Sequence, residues 1–399
     1  SAFGPMEADL SVSAETERDE KRMLVGRWCS TENVAALWTQ KGRLDAIFDG
    51  GLEREYYISR DSLFPCDQRG SERYRNRAGD KLREVLNAAC VPVGSSAGTL
   101  FADVCGGPGA FSEVLLREAP APVFGFGITL SKTSGGTEDW YRWLLQDARF
   151  RPEYGIDGTG NVYLPGNLRE MAKSVRKIGS SGADIVVADG GFGISKDESG
   201  KHLDNIQELV SARLILSEFV LAVNSLKPGG SFVCKLFDSF SDFTVSLIFA
   251  ATVMFEDVRI VKPSHSRTVN SERYLAAMKL KKDSVEGGPL NWLVKVLTEI
   301  HSTWTEGKSP RSLCPISVMQ ADEKFCASIR EMSSSVVEQQ TFALKLVIDD
   351  IDARLADQRN RPAVIQCRPG RRFGDRLRIE YPRHRRCGNP DLSGRVDDR

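Results

Sequence analysis

The chain has no excess of charge of either sign: 54 basic and 54 acidic residues cancel. Net charge therefore singles out no class of partner, neither nucleic acid nor membrane surface. No run of about 18 apolar residues occurs, the least a helix needs to span hydrocarbon. No basic stretch followed by an apolar core stands near the start, so no secretory leader is expected. Histidine is scarce, four in 399 residues, and the nine cysteines form no CxxC pairs and no ligand-like spacing with the histidines. That argues against a zinc site and a disulfide framework, and for reduced thiols in a cytosolic or nuclear protein. What remains is ordinary for a globular chain, 41% apolar and 27% charged, with room for two or three domains.

The order of apolar runs carries more. From Leu100 to Lys282 short apolar runs alternate with helical segments, the pattern of a mostly parallel sheet covered on both faces. It predicts strands at Leu100–Cys105, Val123–Thr129, Ala183–Ala188, Ser231–Leu236, Asp257–Val261 and Arg273–Leu280. Helices are predicted at Thr31–Phe48, Ser71–Ala89 and Asn205–Leu226, the last stopped by Lys-Pro-Gly-Gly at 227–230. Beyond about Ser284 the alternation ends, and Leu290–Trp304 and Val318–Gln358 read as helices. Arg368–Arg386 then holds eight arginines in nineteen residues, a solvated tail or a phosphate-attracting one. The expected division is an extension over 1–70, a catalytic domain over 71–285, and a helical extension with its Arg-rich tail over 286–399.

Within that frame Phe101–Val114 (FADVCGGPGAFSEV) is a strand, a glycine turn and a helix in sequence, where backbone can approach a ligand closely. A dinucleotide fingerprint fits poorly. Counted from Gly107 its third glycine is Ser112, and the next strand closes on Gly-Ile-Thr-Leu without a carboxylate for the ribose. Asp189 ends the apolar run ADIVVADGG, which suits either a turn aspartate or a carboxylate facing the same crevice. Lys235 interrupts the apolar run SFVCKLFD. It either snorkels to the rim or is held beside a carboxylate, with its pKa lowered enough to act as a base. Glu272 opens the last strand, and Lys81 lies in the second helix. Periodicity alone does not bring the four together.

At these residues a resemblance becomes specific. ADVCGGPGAFSE, GFGITL, YGIDG, ADGGF, NIQE, FVCKLFD and KPSHSRTVNSERY stand here in the order seen in eukaryotic cap-specific mRNA 2′-O-methyltransferases of the first transcribed nucleotide. Those enzymes form part of the FtsJ-like (RrmJ-like) branch of Rossmann-fold methyltransferases, and the likeness covers roughly Arg75 to Lys282. The resemblance implies a mostly parallel seven-stranded sheet with helices on both faces, plus N-terminal and helical C-terminal extensions. It implies a catalytic Lys-Asp-Lys-Glu tetrad at Lys81, Asp189, Lys235 and Glu272. S-adenosylmethionine is the implied cofactor, leaving as S-adenosylhomocysteine. Asp103, Gly106, Gly107, Pro108 and Gly109 would line its methionine and ribose portion. Thr129 and Leu130 would flank its adenosine, with Asn161, where relatives commonly carry aspartate, near the adenine. Asn76 would be a further ligand contact.

The implied substrate is 5′-capped RNA with its 7-methylguanosine cap; the competing readings are a 2′-O-methyltransferase of ribosomal, transfer or other capped RNA, and a non-catalytic RNA-binding module. Arg75, Arg77, Lys262, His265 and Arg267 are candidate phosphate contacts. Trp38, Tyr56, Tyr57, Phe64 and Tyr74 are candidate stacking residues for the cap. Transcription or capping machinery would be the protein partners. The resemblance implies a nuclear location, or a cytoplasmic one for a viral enzyme.

Overall fold

The computed structural model describes residues 26–65, 71, 73–136, 139–191, 207–284, 288, 290–304, 310–356 and 377–379. The helices are α1 (Thr31–Asp49), α2 (Glu53–Leu63), α3 (Arg77–Ala89), α4 (Ala110–Glu118), α5 (Arg142–Leu145), α6 (Pro165–Ile178), α7 (Gln207–Ser225), α8 (Asp242–Met254), α9 (Asn291–Thr303), α10 (Ile316–Gln320) and α11 (Glu323–Ala356). The strands are β1 (Thr99–Val104), β2 (Val123–Ile128), β3 (Phe150–Glu153), β4 (Ala183–Ala188), β5 (Leu226–Leu236), β6 (Phe255–Val261), β7 (Arg273–Leu280) and β8 (Leu377–Ile379).

The eight strands among the described residues form one sheet in the order β3-β2-β1-β4-β5-β7-β6-β8. β1 to β5 run parallel, and β7 inserts antiparallel between β5 and β6. The chain winds outward from β1 to β3 and then returns to β4 on the other side of β1. That reversal opens a crevice at the carboxyl ends of β1 and β4, where ligands of open α/β sheets bind. Val104 pairs with Ala188, and Ala188 with Cys234, so Asp103, Asp189 and Lys235 come to one edge.

Side chains along a strand alternate between faces. Phe101, Ile185, Val187, Val233 and Tyr274 pack with Leu82 and Val85 of α3 and Phe111 and Val114 of α4 on one face. Ala102, Val186, Phe232 and Cys234 pack with α6, α7, α8 and α9 on the other. Lys235 is therefore on the α3 face with Val233, while Cys234 faces α7.

The two ends of the described chain share a third cluster. Val34 and Leu37 of α1 and Tyr56 of α2 pack against Val337, Leu344 and Val347 of α11, together with Phe240 and Val269 from the catalytic part. Ser59 Oγ donates to Asp350 at 2.6 Å, and Gln340 Nε2 donates to the Val269 carbonyl at 3.1 Å. The extensions thus brace the loop that leads to Glu272.

Several expected boundaries move. Lys-Pro-Gly-Gly at 227–230 follows the end of α7 at Ser225 as expected, but lies within β5, which starts at Leu226 instead of Ser231. The helix expected from Ser71 starts at Arg77, because the Asn76 side chain caps it by accepting from Ala78 N at 2.8 Å. β3 has a single buried apolar residue, Phe150, too little for a strand signal. The Arg-rich segment contributes β8 as an eighth strand on the β6 edge. The rest of that segment, the expected start of α7 at Asn205 and Gln358 lie outside the described residues. Among the described residues no helix is long and apolar enough to cross a membrane, and no group of side chains is arranged to hold a metal.

Candidate active site

The crevice begins at Asp103, which is fully buried at the end of β1. Its Oδ2 accepts from the Ser112 amide at 3.0 Å and hydroxyl at 2.7 Å, both on the first turns of α4. Its Oδ1 is buried with no hydrogen-bond partner among the described residues. Burial pushes this carboxyl up to about 7, against the pull of the two Ser112 donors. A Cβ at Gly106 would collide with the same carboxylate. Gly107 and Pro108 continue the turn through a cis peptide bond, and Gly109, at φ +109°, starts α4 in a conformation open mainly to glycine. An orphaned buried acceptor beside a side-chain-free cradle fits the amino and hydroxyl donors of S-adenosylmethionine.

The neighbouring residues close around this turn. Tyr141 N donates to the Pro108 carbonyl at 2.8 Å, and Asn76 Nδ2 donates to the Tyr141 hydroxyl at 2.8 Å. The Arg75 guanidinium sits over the Tyr141 and Trp143 rings, 5.8 and 5.3 Å from their centroids. Thr129 and Leu130 follow β2 and lie against Gly160, whose hydrogen atom in place of a side chain permits the approach. Asn161 uses its side-chain oxygen to accept from Tyr163 N at 2.9 Å. Its carbonyl accepts from Asn167 Nδ2 at 3.0 Å, so the residue shapes the turn itself.

The four charged side chains meet. Lys81 Nζ lies 2.6 Å from Glu272 Oε1, and Lys235 Nζ lies 3.3 Å from Asp189 Oδ1 while donating to the Asp189 carbonyl at 2.8 Å. Between the two ion pairs stands the Tyr274 hydroxyl, 2.9 Å from Asp189 Oδ1 and 3.3 Å from Glu272 Oε1. Register explains this. Lys235 pairs directly with Tyr274 across β5 and β7, and Glu272 precedes Tyr274 by two, so all three side chains share a face. α3 packs on that face and supplies Lys81.

Electrostatics corrects one expectation. Burial alone would lower the Lys235 pKa, but the carboxylates of Asp189, Glu272 and Glu218 outweigh it and hold the ammonium above its ordinary value. The protein by itself keeps Lys235 charged. Glu272 shows the complementary effect: burial would raise it, yet the Lys81 and Lys235 ammonium groups bring it down to about 2.

The loop before β7 is built to present Glu272. Lys262 Nζ donates to the carbonyls of Arg267, Asn270 and Glu272 at 3.3, 2.7 and 3.0 Å, which commits that ammonium to the loop's interior. Glu84 of α3 accepts from Ser264 N at 2.7 Å and Ser264 Oγ at 2.9 Å and faces His265 Nδ1 at 3.0 Å. The helix carrying Lys81 is thereby clasped to the loop carrying Glu272. Arg267 has a buried Nε without a hydrogen-bond partner among the described residues, and Arg77 opens α3. Of the stacking candidates, Tyr56 and Tyr74 are buried in core clusters and Trp38 and Phe64 pack against one, which leaves Tyr57 the most exposed at 42%.

Sequence reasoning missed Tyr274, Ser112, Tyr141 and Glu218. Tyr274 reads as an ordinary apolar strand residue, and only register shows its hydroxyl between two carboxylates. Tyr274→Phe removes that oxygen and leaves the ring packed. It is expected to lower kcat about tenfold, the loss of one hydrogen bond to a charged group, while Tm stays within a few degrees. A kcat equal to that of the unmodified protein would show that the hydroxyl has no part in holding the carboxylates.

Comparison with known proteins agrees with this geometry. The FtsJ-like methyltransferase family matches residues 74–280. The chain is 36% identical over 346 residues to a Trypanosoma cruzi protein named cap-specific mRNA (nucleoside-2′-O-)-methyltransferase 1, covering 83% of this chain and 90% of that one. Its identity to the Trypanosoma brucei brucei protein of the same name is 35%, covering 82% and 86%. For the Xenopus laevis protein of that name it is 30%, over 92% of this chain and 39% of that longer one. With the sheet order, the crevice and these matches together, the chain belongs to the FtsJ-like methyltransferase family, whose methyl donor is S-adenosylmethionine.

Proposed function

We propose that the protein transfers a methyl group from S-adenosylmethionine to the ribose 2′-hydroxyl of the first transcribed nucleotide of 5′-capped mRNA, converting cap 0 to cap 1. The observation that carries this reading is the convergence of two lysine–carboxylate pairs on the Tyr274 hydroxyl, beside the Asp103 crevice. The name shared by the two trypanosome relatives supports the cap as substrate.

A ribose hydroxyl is a poor nucleophile until its proton is removed. Lys235, as the neutral amine, takes that proton as the oxygen attacks. Asp189 holds the Lys235 amine on the acceptor side through the 3.3 Å pair and its own backbone carbonyl. Glu272, kept anionic by Lys81, fixes the second ammonium next to the reacting oxygen. When bound, S-adenosylmethionine supplies a sulfonium methyl for in-line transfer and a positive charge that opposes the Lys235 ammonium. The hydroxyl proton ends on Lys235 Nζ, where the Asp189 carboxylate holds the resulting ammonium. Much of the acceleration is positioning: two substrates held at contact distance in one crevice. Arg75, Arg77 and Arg267 guide RNA phosphates to that edge. On this reading the enzyme works in the nucleus on nascent transcripts, alongside the capping machinery.

The test compares methyl transfer to cap 0 RNA and to an uncapped RNA of the same sequence. Transfer is expected to the capped RNA, with kcat/KM at least about tenfold higher than for the uncapped one, the discrimination that one lost recognition contact supplies. Equal transfer to both would point to a 2′-O-methyltransferase of other RNA.

A further inference from the structure

Glu218 lies in the middle of α7, on the sheet face opposite the tetrad, and is fully buried. An unpaired carboxylate there would be costly, and its partners are telling. Oε1 accepts from Gly190 N at 3.0 Å, the amide that follows Asp189. Oε2 accepts from the Cys234 thiol at 3.2 Å, the residue before Lys235. One side chain thus grips the neighbour of each member of the Lys235–Asp189 pair. A Cβ at Gly190 would collide with Oε1, so the glycine after Asp189 is what lets the carboxylate come this close.

We propose that Glu218 is a positioning residue of the methyl-transfer site: from beneath the sheet it locks the ends of β4 and β5 in register and sets a carboxylate against the backbone of the Lys235–Asp189 pair. The proposal rests on Lys235 being the base argued above. The charged and titratable groups around Glu218 are consistent with it. Lys235 and Cys234 approach from β5, Asp189 from the end of β4 and Cys105 from the end of β1; Tyr163 is also near, with the Arg213 guanidinium 4.5 Å from its ring centroid. Burial raises the Glu218 carboxyl to about 7, with Cys234, Lys235 and Gly190 pulling the other way and Asp189 adding to the rise. It is ionised over the alkaline range in which Lys235 titrates.

Two variants separate charge from register. Glu218→Gln keeps the shape and the acceptor for Gly190 but removes the charge. Glu218→Ala removes both. In protein carrying [ε-13C]lysine, with the Lys235 signal assigned through Lys235→Met, Glu218→Gln is expected to move the Lys235 titration down by about half a unit or more, as loss of a nearby opposite charge requires. The rising limb of kcat against pH should move down with it, while KM for S-adenosylmethionine stays within about twofold. Glu218→Ala should lower kcat about tenfold or more and speed hydrogen exchange at the Gly190 amide. An unmoved Lys235 titration in Glu218→Gln overturns the proposal whatever the rates do. Failure of the 2′-O-methylation reading has a different signature: the unsubstituted enzyme methylates neither RNA, yet the titration still moves.

Discussion

Lys235→Ala is expected to lower kcat for methyl transfer by about a thousandfold, within the range attributed to a positioned general base. The Kd for S-adenosylmethionine should stay within about threefold, since the Asp103 crevice is built from other residues. Four features make this lysine the base. It stands on the α3 face of β5, its amine reaches Asp189, it is nearly buried, and Tyr274 pairs with it across the sheet. The elevated pKa gives the experiment a second axis. Below its pKa the neutral fraction of an amine grows tenfold with each pH unit, so kcat should rise steeply from pH 7 upward. The variant should lose that slope as well as the rate. A flat pH profile in the unsubstituted enzyme, or a variant within about twofold of it, would remove Lys235 from the role of base.

Asp103→Asn is expected to weaken S-adenosylmethionine binding about tenfold to a hundredfold, the loss of a hydrogen bond to a charged acceptor. The asparagine oxygen can still accept from Ser112, so the turn should keep its shape. Calorimetric titration gives the Kd directly, and an unchanged value would mean that the orphaned Oδ1 faces no ligand. The raised carboxyl adds a check on stability. An acid whose folded pKa is lifted from 3.8 to about 7 costs folding nothing below both values; its penalty grows as pH rises from about 4 to 7 and is at its full size above 7. Replacing it with a neutral side chain should therefore raise Tm more at pH 8.5 than at pH 5.

How legible this was in the sequence depended on what each residue needs. β4 and β7 are legible to the residue, because each is a buried, nearly continuous apolar run with clear stops, one parallel in the sheet and the other antiparallel. β3 was invisible, since four residues with a single buried apolar side chain carry no period. Lys-Pro-Gly-Gly reads as a helix stop, because Pro and Gly end helices, but that signal does not show that the segment is part of the next strand. The β4 edge recruited its flanks instead, with a register shift between Ala183 and Ile185. The tetrad could be named only through family likeness, for residues 191 positions apart, Lys81 and Glu272, meet by topology and not by spacing. The state of Lys235 was misjudged for a related reason. An apolar strand on either side suggested a depressed pKa, but the deciding charges come from three other segments, among them the helix beneath.

The extensions show the same division. Thr31–Phe48 was legible as an amphipathic helix, and Val34, Leu37 and Ile47 are buried as its period implies. Its partner was not legible: α1 and α2 bury their faces on α11, about three hundred residues downstream. Lys262 and His265, candidate phosphate contacts by sequence, bind the loop and Glu84 in the protein by itself. A surface cation and an internal clamp look alike until the carbonyls around them are located.

The most direct measurement of the central claim is methyl incorporation into two cap 0 RNAs that differ only in the sugar of the first transcribed nucleotide, ribose in one and 2′-deoxyribose in the other. Labelled methyl should appear on the ribose RNA and stay at background on the deoxyribose RNA. Equal labelling of both would place the accepting atom somewhere other than the 2′-oxygen and contradict the assignment.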